Sequence, residues 1–151
     1  MISEGYLRRY VDSSKVNREI ALLDVCQEYL LEHLRREGLF SGTLVFKGGT
    51  ALRKYVFGPA GRFSTDLDFA LLSGDPADVD LVLDLVNGAS LHGVRFLLEG
   101  RKGANARIRL QTPLGEVNEP AAISIRLSAP WLPIGLREPV PFEYLDRGLA
   151  P

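Results

Sequence analysis

From Asp66 to Leu72 the chain reads Asp-Leu-Asp-Phe-Ala-Leu-Leu, and this segment constrains the fold more than any other. Its first half alternates polar and apolar residues, the pattern of a strand with one face turned to a core. In a strand, residues i and i+2 point to the same face. Asp66 and Asp68 therefore project side by side, while Leu67 and Phe69 face inward. Two carboxylates so close repel one another, and a strand rarely keeps them without a compensating charge. A divalent cation supplies that charge, and one or two carboxylates together with substrate phosphates are the usual oxygen ligands of Mg2+ in phosphoryl and nucleotidyl transfer. The alternative is a solvated strand edge with two incidental aspartates.

Composition narrows the setting. A chain of 151 residues corresponds to one compact domain. A domain of this size buries about 68–70% of its unfolded surface, enough to do without disulfides or a structural metal. Lys and Arg total 18 against 19 Asp and Glu, so the net charge of −1 excludes affinity driven by bulk charge. The single cysteine, Cys26, has no partner within the chain and falls in a helical pattern, where it reads as a small buried apolar residue. No segment approaches the roughly 18 uninterrupted apolar residues of a membrane helix. The start, MISEGYLRRY, has no apolar run ahead of a small-residue cleavage site. A cytoplasmic location and no membrane association are expected.

The rest of the order follows from periodicity and breakers. Apolar residues recur at three- and four-residue steps from Val16 to Glu37, which predicts an amphipathic helix with Ser13 or Ser14 as N-cap and Gly38 as its stop. Its other face, with Asn17, Asp24, Glu28, Glu32 and Arg35, is expected in solvent. Leu44-Val45-Phe46 reads as a strand that passes through Lys47-Gly48-Gly49-Thr50 into a helix. Asp75-Pro76 starts another helix, whose apolar face runs from Val79 to Val86. Further strands are expected at Val94 to Leu98, Ala106 to Leu110 and Ile123 to Leu127. The segment 130–151 carries five prolines and no sustained period, and reads as a tail or a connector to a missing C-terminal portion. The expected division is a core domain over 1–129 and this tail over 130–151.

Gly48-Gly49-Thr50 lies between a strand and a helix. Glycine lets the backbone approach a ligand, and amides at a helix start favour an anion such as phosphate. Alone it is also an ordinary glycine turn. With Ser64-Thr65-Asp66-Leu67-Asp68 following across one helix, the signal is far more specific. Phe46-Lys47-Gly48-Gly49-Thr50-Ala51-Leu52-Arg53-Lys54 and Gly61-Arg62-Phe63-Ser64-Thr65-Asp66-Leu67-Asp68-Phe69 resemble the AbiEii/AbiGii nucleotidyltransferase toxin family, which includes the mycobacterial MenT toxins. The resemblance is close from the opening helix through the strand at Asp66, and beyond residue 72 it is one of element order.

The resemblance implies an α+β fold of the polymerase-beta-like nucleotidyltransferase type, a mixed sheet flanked by helices. It implies an Mg2+-dependent enzyme that takes a nucleoside triphosphate, is paired with a cognate antitoxin protein, and adds nucleotides to the 3′ end of tRNA. It assigns Gly48, Gly49 and Thr50 to a triphosphate cradle, Ser64 to a phosphate contact, and Asp66 and Asp68 to metal ligation and catalysis. Arg62 and Lys54 are read as phosphate or nucleotide contacts or, equally, as surface charges; Lys47 is read as an anion contact or a solvated lysine. Arg101, Lys102, Arg107 and Arg109 form the densest basic candidate for RNA.

Many enzymes of this fold place a third carboxylate on a neighbouring strand. The strand at Ile123 to Ser128 offers Arg126 instead, so either the site uses only Asp66 and Asp68 or Arg126 contributes a cation to the phosphates, with Glu99 and Glu116 as fallback acids. Nor does anything after Tyr144 resemble the later lysine-bearing helix and arginine-aspartate pair of the family. The expectation is the N-terminal catalytic core of a longer protein. The rival readings are a non-catalytic nucleotide-binding or antitoxin-interacting domain, and a structural domain whose Asp-x-Asp is incidental.

Overall fold

The computed structural model describes residues 1–54 and 65–126. The first helix, α1 (Glu4–Ser14), starts where the Ser3 side chain accepts the Tyr6 N–H at 3.2 Å and ends at Lys15 in a left-handed conformation. It was not expected from the sequence; its Leu7 is buried, and Tyr6, Tyr10 and Val11 pack half-buried against the same core. α2 (Arg18–Arg36) is capped by Asn17, whose side chain accepts the Ile20 N–H at 2.8 Å. Ser13 and Ser14, the expected caps, belong instead to the last turn of α1. Gly38 follows α2 with φ +76°, as a stop in the left-handed region requires.

Then come β1 (Leu44–Lys47), α3 (Gly48–Leu52), β2 (Asp66–Leu71) and α4 (Pro76–Val86), the last with Asp75 as cap and Pro76 in its first turn. The remaining strands are β3 (Ser90–Leu91), β4 (Val94–Lys102), β5 (Asn105–Thr112), β6 (Gly115–Glu116) and β7 (Ala121–Arg126). They form one sheet in the order β1-β2-β7-β5-β4-β3, with β6 on β5. β2 and β7 run parallel and every other pair is antiparallel, so the sheet is mixed, as expected. The short β3 and β6 were not expected from sequence. The tail over 130–151, and with it the domain boundary at 129, lies outside the described residues.

One face of the sheet is apolar. Leu67, Phe69, Ile108, Leu110, Ile123 and Phe96 point from it into a core shared with α2 and α4. Burying a side chain of this size stabilises by about 1.5–3 kcal/mol. His33 on α2 hydrogen-bonds the Leu85 carbonyl of α4 at 2.7 Å, which joins the two helices behind the sheet.

The charged face of α2 departs from its expected place in solvent. Asp24, Glu28 and Glu32 are only 2%, 1% and 6% exposed. α1 covers α2 on one side, and the end of α3 brings Arg53 and Lys54 against Asp24 and Glu28. Buried charge is tolerated when it is paired and hydrogen-bonded, and here the partners come from elements distant in sequence. Glu32 is paired locally, with Arg35 at 2.7 Å and Arg36 at 2.8 Å. These guanidinium hydrogen bonds hold its carboxyl below the usual pKa against the opposing effect of burial.

Candidate active site

The two motif halves meet where β1 and β2 pair. Lys47 is the cross-strand neighbour of Asp68, so the lysine and the carboxylate occupy the same face of the sheet. The next residue, Gly48, has φ +80°, a conformation open to glycine and costly for other residues. A Cβ there would lie 2.5 Å from Asp68 Oδ2, so the carboxylate fills the space that a side chain would take. At Gly49 a Cβ would meet nothing within 4 Å. The Thr50 hydroxyl is buried and donates to the Asp66 carbonyl at 2.5 Å, which ties the glycine turn to the aspartate strand.

Asp66 and Asp68 face away from the core, on the open side of the sheet. Register identifies what stands beside them. On β7, Ala122 is the partner of Asp66 and Ser124 the partner of Asp68. One strand further, Arg107 pairs with Ala122 and Asn105 with Ser124. On β4, Gly100 lies across from Arg107 and Lys102 across from Asn105. Together these residues line a cleft of about 570 Å3 with the two aspartates at one side and basic and amide groups at the other.

Several sequence expectations are redistributed by this register. Arg126 stands opposite Ala70, two residues beyond Asp68, so the position adjoining Asp68 is held by Ser124 and not by Arg126. Arg101 borders the cleft, but its charge is engaged elsewhere. Its cross-strand partner is the buried Ala106, and its guanidinium bridges Asp80 of α4 at 2.6 Å. Arg109 shares the open face with Arg107 but pairs with Glu99 at 2.9 Å, and this hydrogen bond raises the guanidinium pKa. Glu116 accepts a hydrogen bond from Gln111. Glu99 and Glu116 border a separate hollow of about 400 Å3.

Gly48, Gly49, Thr50, Asp66 and Asp68 are thus brought together. Lys54 is not among them: its side chain is fully buried, with Nζ 2.8 Å from Asp24 Oδ1 and also bonded to Glu28. Arg62 and Ser64 lie outside the described residues. Sequence reasoning missed Asp24, Gln27 and Glu28 beneath the site and Ser124 and Asn105 beside it. No local pattern marks these residues, because their placement depends on helix packing and strand register.

Among the described residues no group of three or more His, Cys, Asp or Glu converges to hold a metal ion. The aspartate pair still fits Mg2+, which keeps several waters and takes one or two carboxylates together with substrate phosphates. Asp66 and Asp68 are the residues that would hold it, and the Asp68 carboxylate is kept in place by filling the space above Gly48.

An acidic pair on an open sheet face beside a glycine turn, with helices behind the sheet, defines a nucleotidyltransferase-like α+β domain. Residues 29–142 match the family model described as Nucleotidyl transferase AbiEii toxin, Type IV TA system. The chain belongs to this family of nucleotidyltransferase toxins of toxin–antitoxin systems. Among solved structures it is similar to MenT4, a nucleotidyltransferase toxin of Mycobacterium tuberculosis H37Rv, with 35% identity and a TM-score of 0.75 over 85% of this chain. The match takes in 44% of the MenT4 chain, so it spans less than half the length of that relative. No curated protein matches the chain.

Proposed function

We propose that the chain carries the nucleotide-binding and metal-binding core of an Mg2+-dependent nucleotidyltransferase, which moves a nucleotide from a nucleoside triphosphate to an acceptor, the 3′ end of tRNA. The observation that carries this reading is the juxtaposition of Asp66 and Asp68 with Gly48 in a member of this family. The backbone amides of Gly48, Gly49 and Thr50 hold the triphosphate. Thr50 contributes through its backbone, since its hydroxyl is committed to the Asp66 carbonyl. Ser64 and Arg62 are phosphate contacts by resemblance. Lys54 acts from beneath, through its ion pairs, and not as a direct contact.

Asp66 and Asp68 would hold Mg2+, which neutralises charge developing at the α-phosphoryl group and on the departing pyrophosphate. The acceptor hydroxyl oxygen forms a bond to the α-phosphorus as the bond to the pyrophosphate oxygen breaks, and the hydroxyl proton leaves to solvent. Lys47, the cross-strand neighbour of Asp68, adds a positive charge on the same face of the sheet. Lys102 and Arg107 supply the local cations that a net charge of −1 does not, and they favour an acceptor with a phosphate backbone.

An antitoxin partner and a cytoplasmic location belong to this reading. Among the described residues no helix is long and apolar enough to cross a membrane. The second reading is a non-catalytic nucleotide-binding or antitoxin-interacting domain. It is favoured by Ala122 and Ser124, which offer no acid at the two β7 positions adjoining the pair.

Incubation with tRNA, Mg2+ and each α-labelled nucleoside triphosphate separates the two. Labelled tRNA is expected, with a loss on the order of 100-fold or more in Asp66→Ala and Asp68→Ala, as removal of several kcal/mol of transition-state stabilisation implies. Equal labelling by the variants would refute the assigned roles. Nucleotide binding without transfer supports the second reading.

A further inference from the structure

Asp24, Gln27 and Glu28 lie on one face of α2, because positions i, i+3 and i+4 are neighbours on a helix. A row of such residues normally faces water, yet they are 2%, 0% and 1% exposed. Their partners are the two halves of the site. Gln27 Nε2 donates to the carbonyl of Thr65, the residue before Asp66, at 2.8 Å. Asp24 accepts from Arg53 and, at 2.8 Å, from Lys54; Glu28 accepts from Lys54. Arg53 and Lys54 directly follow α3, the helix that starts at Gly48. Tyr10 of α1 donates to the other carboxylate oxygen of Asp24. One helix face therefore grips the glycine turn through its far end and the aspartate strand through its first carbonyl.

Two carboxylates balance two cations in this cluster, and replacing such a buried set by apolar residues is often neutral or stabilising. Gln27 Oε1 and Glu28 Oε2 are also buried with no hydrogen-bond partner among the described residues. Buried polar atoms are rarely left in that state. Compared with apolar packing of the same volume the arrangement gains little stability, but it fixes a geometry.

We propose that Asp24, Gln27 and Glu28 are positioning residues that set the spacing between the Gly48-Gly49-Thr50 turn and the Asp66–Asp68 pair. None of them reaches the open face; each acts through Thr65, Arg53 or Lys54. The effect on ligand binding rests on the proposed function, whereas the effect on local order does not.

The test uses the full chain and compares Gln27→Met, which removes the donor at similar volume, with Leu30→Val, a control at a fully buried position of the same helix. Amide hydrogen exchange and Mg2+·ATP affinity are read at a temperature where both variants remain folded. Gln27→Met is expected to speed exchange at residues 48–52 and 65–68 at least tenfold relative to the rest of the chain, and to weaken Mg2+·ATP binding at least tenfold. Leu30→Val is expected to lower the melting temperature without either local change. Should Gln27→Met not fold, Glu28→Gln, which keeps the shape and removes the charge, is expected to give the same local contrast. Exchange that changes evenly along the chain, or not at all at the two segments, would overturn the inference. If the unaltered chain does not bind Mg2+·ATP, the functional reading fails, and the exchange contrast still decides the positioning role.

Discussion

Replacement of Gly48 by alanine, set against the same change at Gly49, isolates the close approach on which the site depends. Gly48 has φ +80°, and placing a residue with a Cβ in the left-handed region costs about 1–2 kcal/mol. The added Cβ would also lie 2.5 Å from Asp68 Oδ2, 3.1 Å from its Cβ and 3.2 Å from its Cγ. Turning the carboxylate relieves the first contact but not the second, because the Asp68 Cβ is fixed by the β2 backbone. The strand must give by a few tenths of an ångström against α3, which adds about 1 kcal/mol. The sum is about 2–3 kcal/mol. For a chain of 151 residues this lowers the melting temperature by about 4–12 °C. Gly49→Ala meets nothing within 4 Å and sits in a helix, where alanine is favoured over glycine by up to about 1 kcal/mol. It should melt at or above the temperature of the unaltered protein. Calorimetric melting and Mg2+ titration read both effects, and Gly48→Ala should also weaken Mg2+ binding because the Asp68 carboxylate is displaced. Equal melting temperatures and Mg2+ affinities for the two variants would refute the reasoning.

Other consequences follow from burial and charge. Lys54→Met leaves Asp24 and Glu28 buried with one cation fewer; the loss is expected to be about 3–5 kcal/mol in denaturant unfolding, whereas Arg109→Gln, at an exposed pair, should change stability little. Burial pushes the Cys26 thiol well above its ordinary pKa, so a thiol reagent at pH 8 should label the native chain only at the rate at which it unfolds. Burial, with Arg36 and the N-terminal amine adding to it, holds the His92 pKa below 6.5. The folded state therefore resists protonation there, and the stability from the neutral ring is present above about pH 6.5 and lost as the pH falls through the lower folded value. His92→Asn, which tolerates the φ of +52° at this position, should flatten that acid-side loss in melts between pH 7.5 and pH 5.

The strands and helices that carry long apolar periods were legible in the sequence. β2, α4 and the core of β5 were expected within two residues of where they lie, because alternation, the Asp75 cap and Pro76 are local signals. α1 was not expected because its apolar stripe, Tyr6, Leu7, Tyr10 and Val11, is short and interleaved with charged residues. The helix depends on the Ser3 cap, on Leu7, and on contacts such as the 2.5 Å ion pair of Glu4 with Arg18 at the start of α2. The polar face of α2 was misplaced for a related reason. Residue type puts Asp24 and Glu28 in water, and only the return of the chain at Arg53 and Lys54 makes their burial tolerable.

The site divides along the same line. Asp66, Asp68 and the glycines could be read as one unit because a strand's two-residue period and a glycine turn are properties of short segments. Which residue adjoins Asp68 across the sheet is a property of register. A parallel pairing that crosses more than fifty positions is set by how β7 packs, and a shift of one residue would turn Ile123 and Ile125 outward and bring Ser124 into the core. Burial of those isoleucines at 2% and 3% exposure fixes the register, and the register then puts a hydroxyl beside Asp68. Arg126 lies on the same face two residues further along, opposite Ala70, and bringing it next to Asp68 would take a two-residue slide that keeps the faces but draws Ala122 and Ile123 past the end of β2. Which side chain adjoins Asp68 on this open face is thus decided by apolar packing on the opposite one.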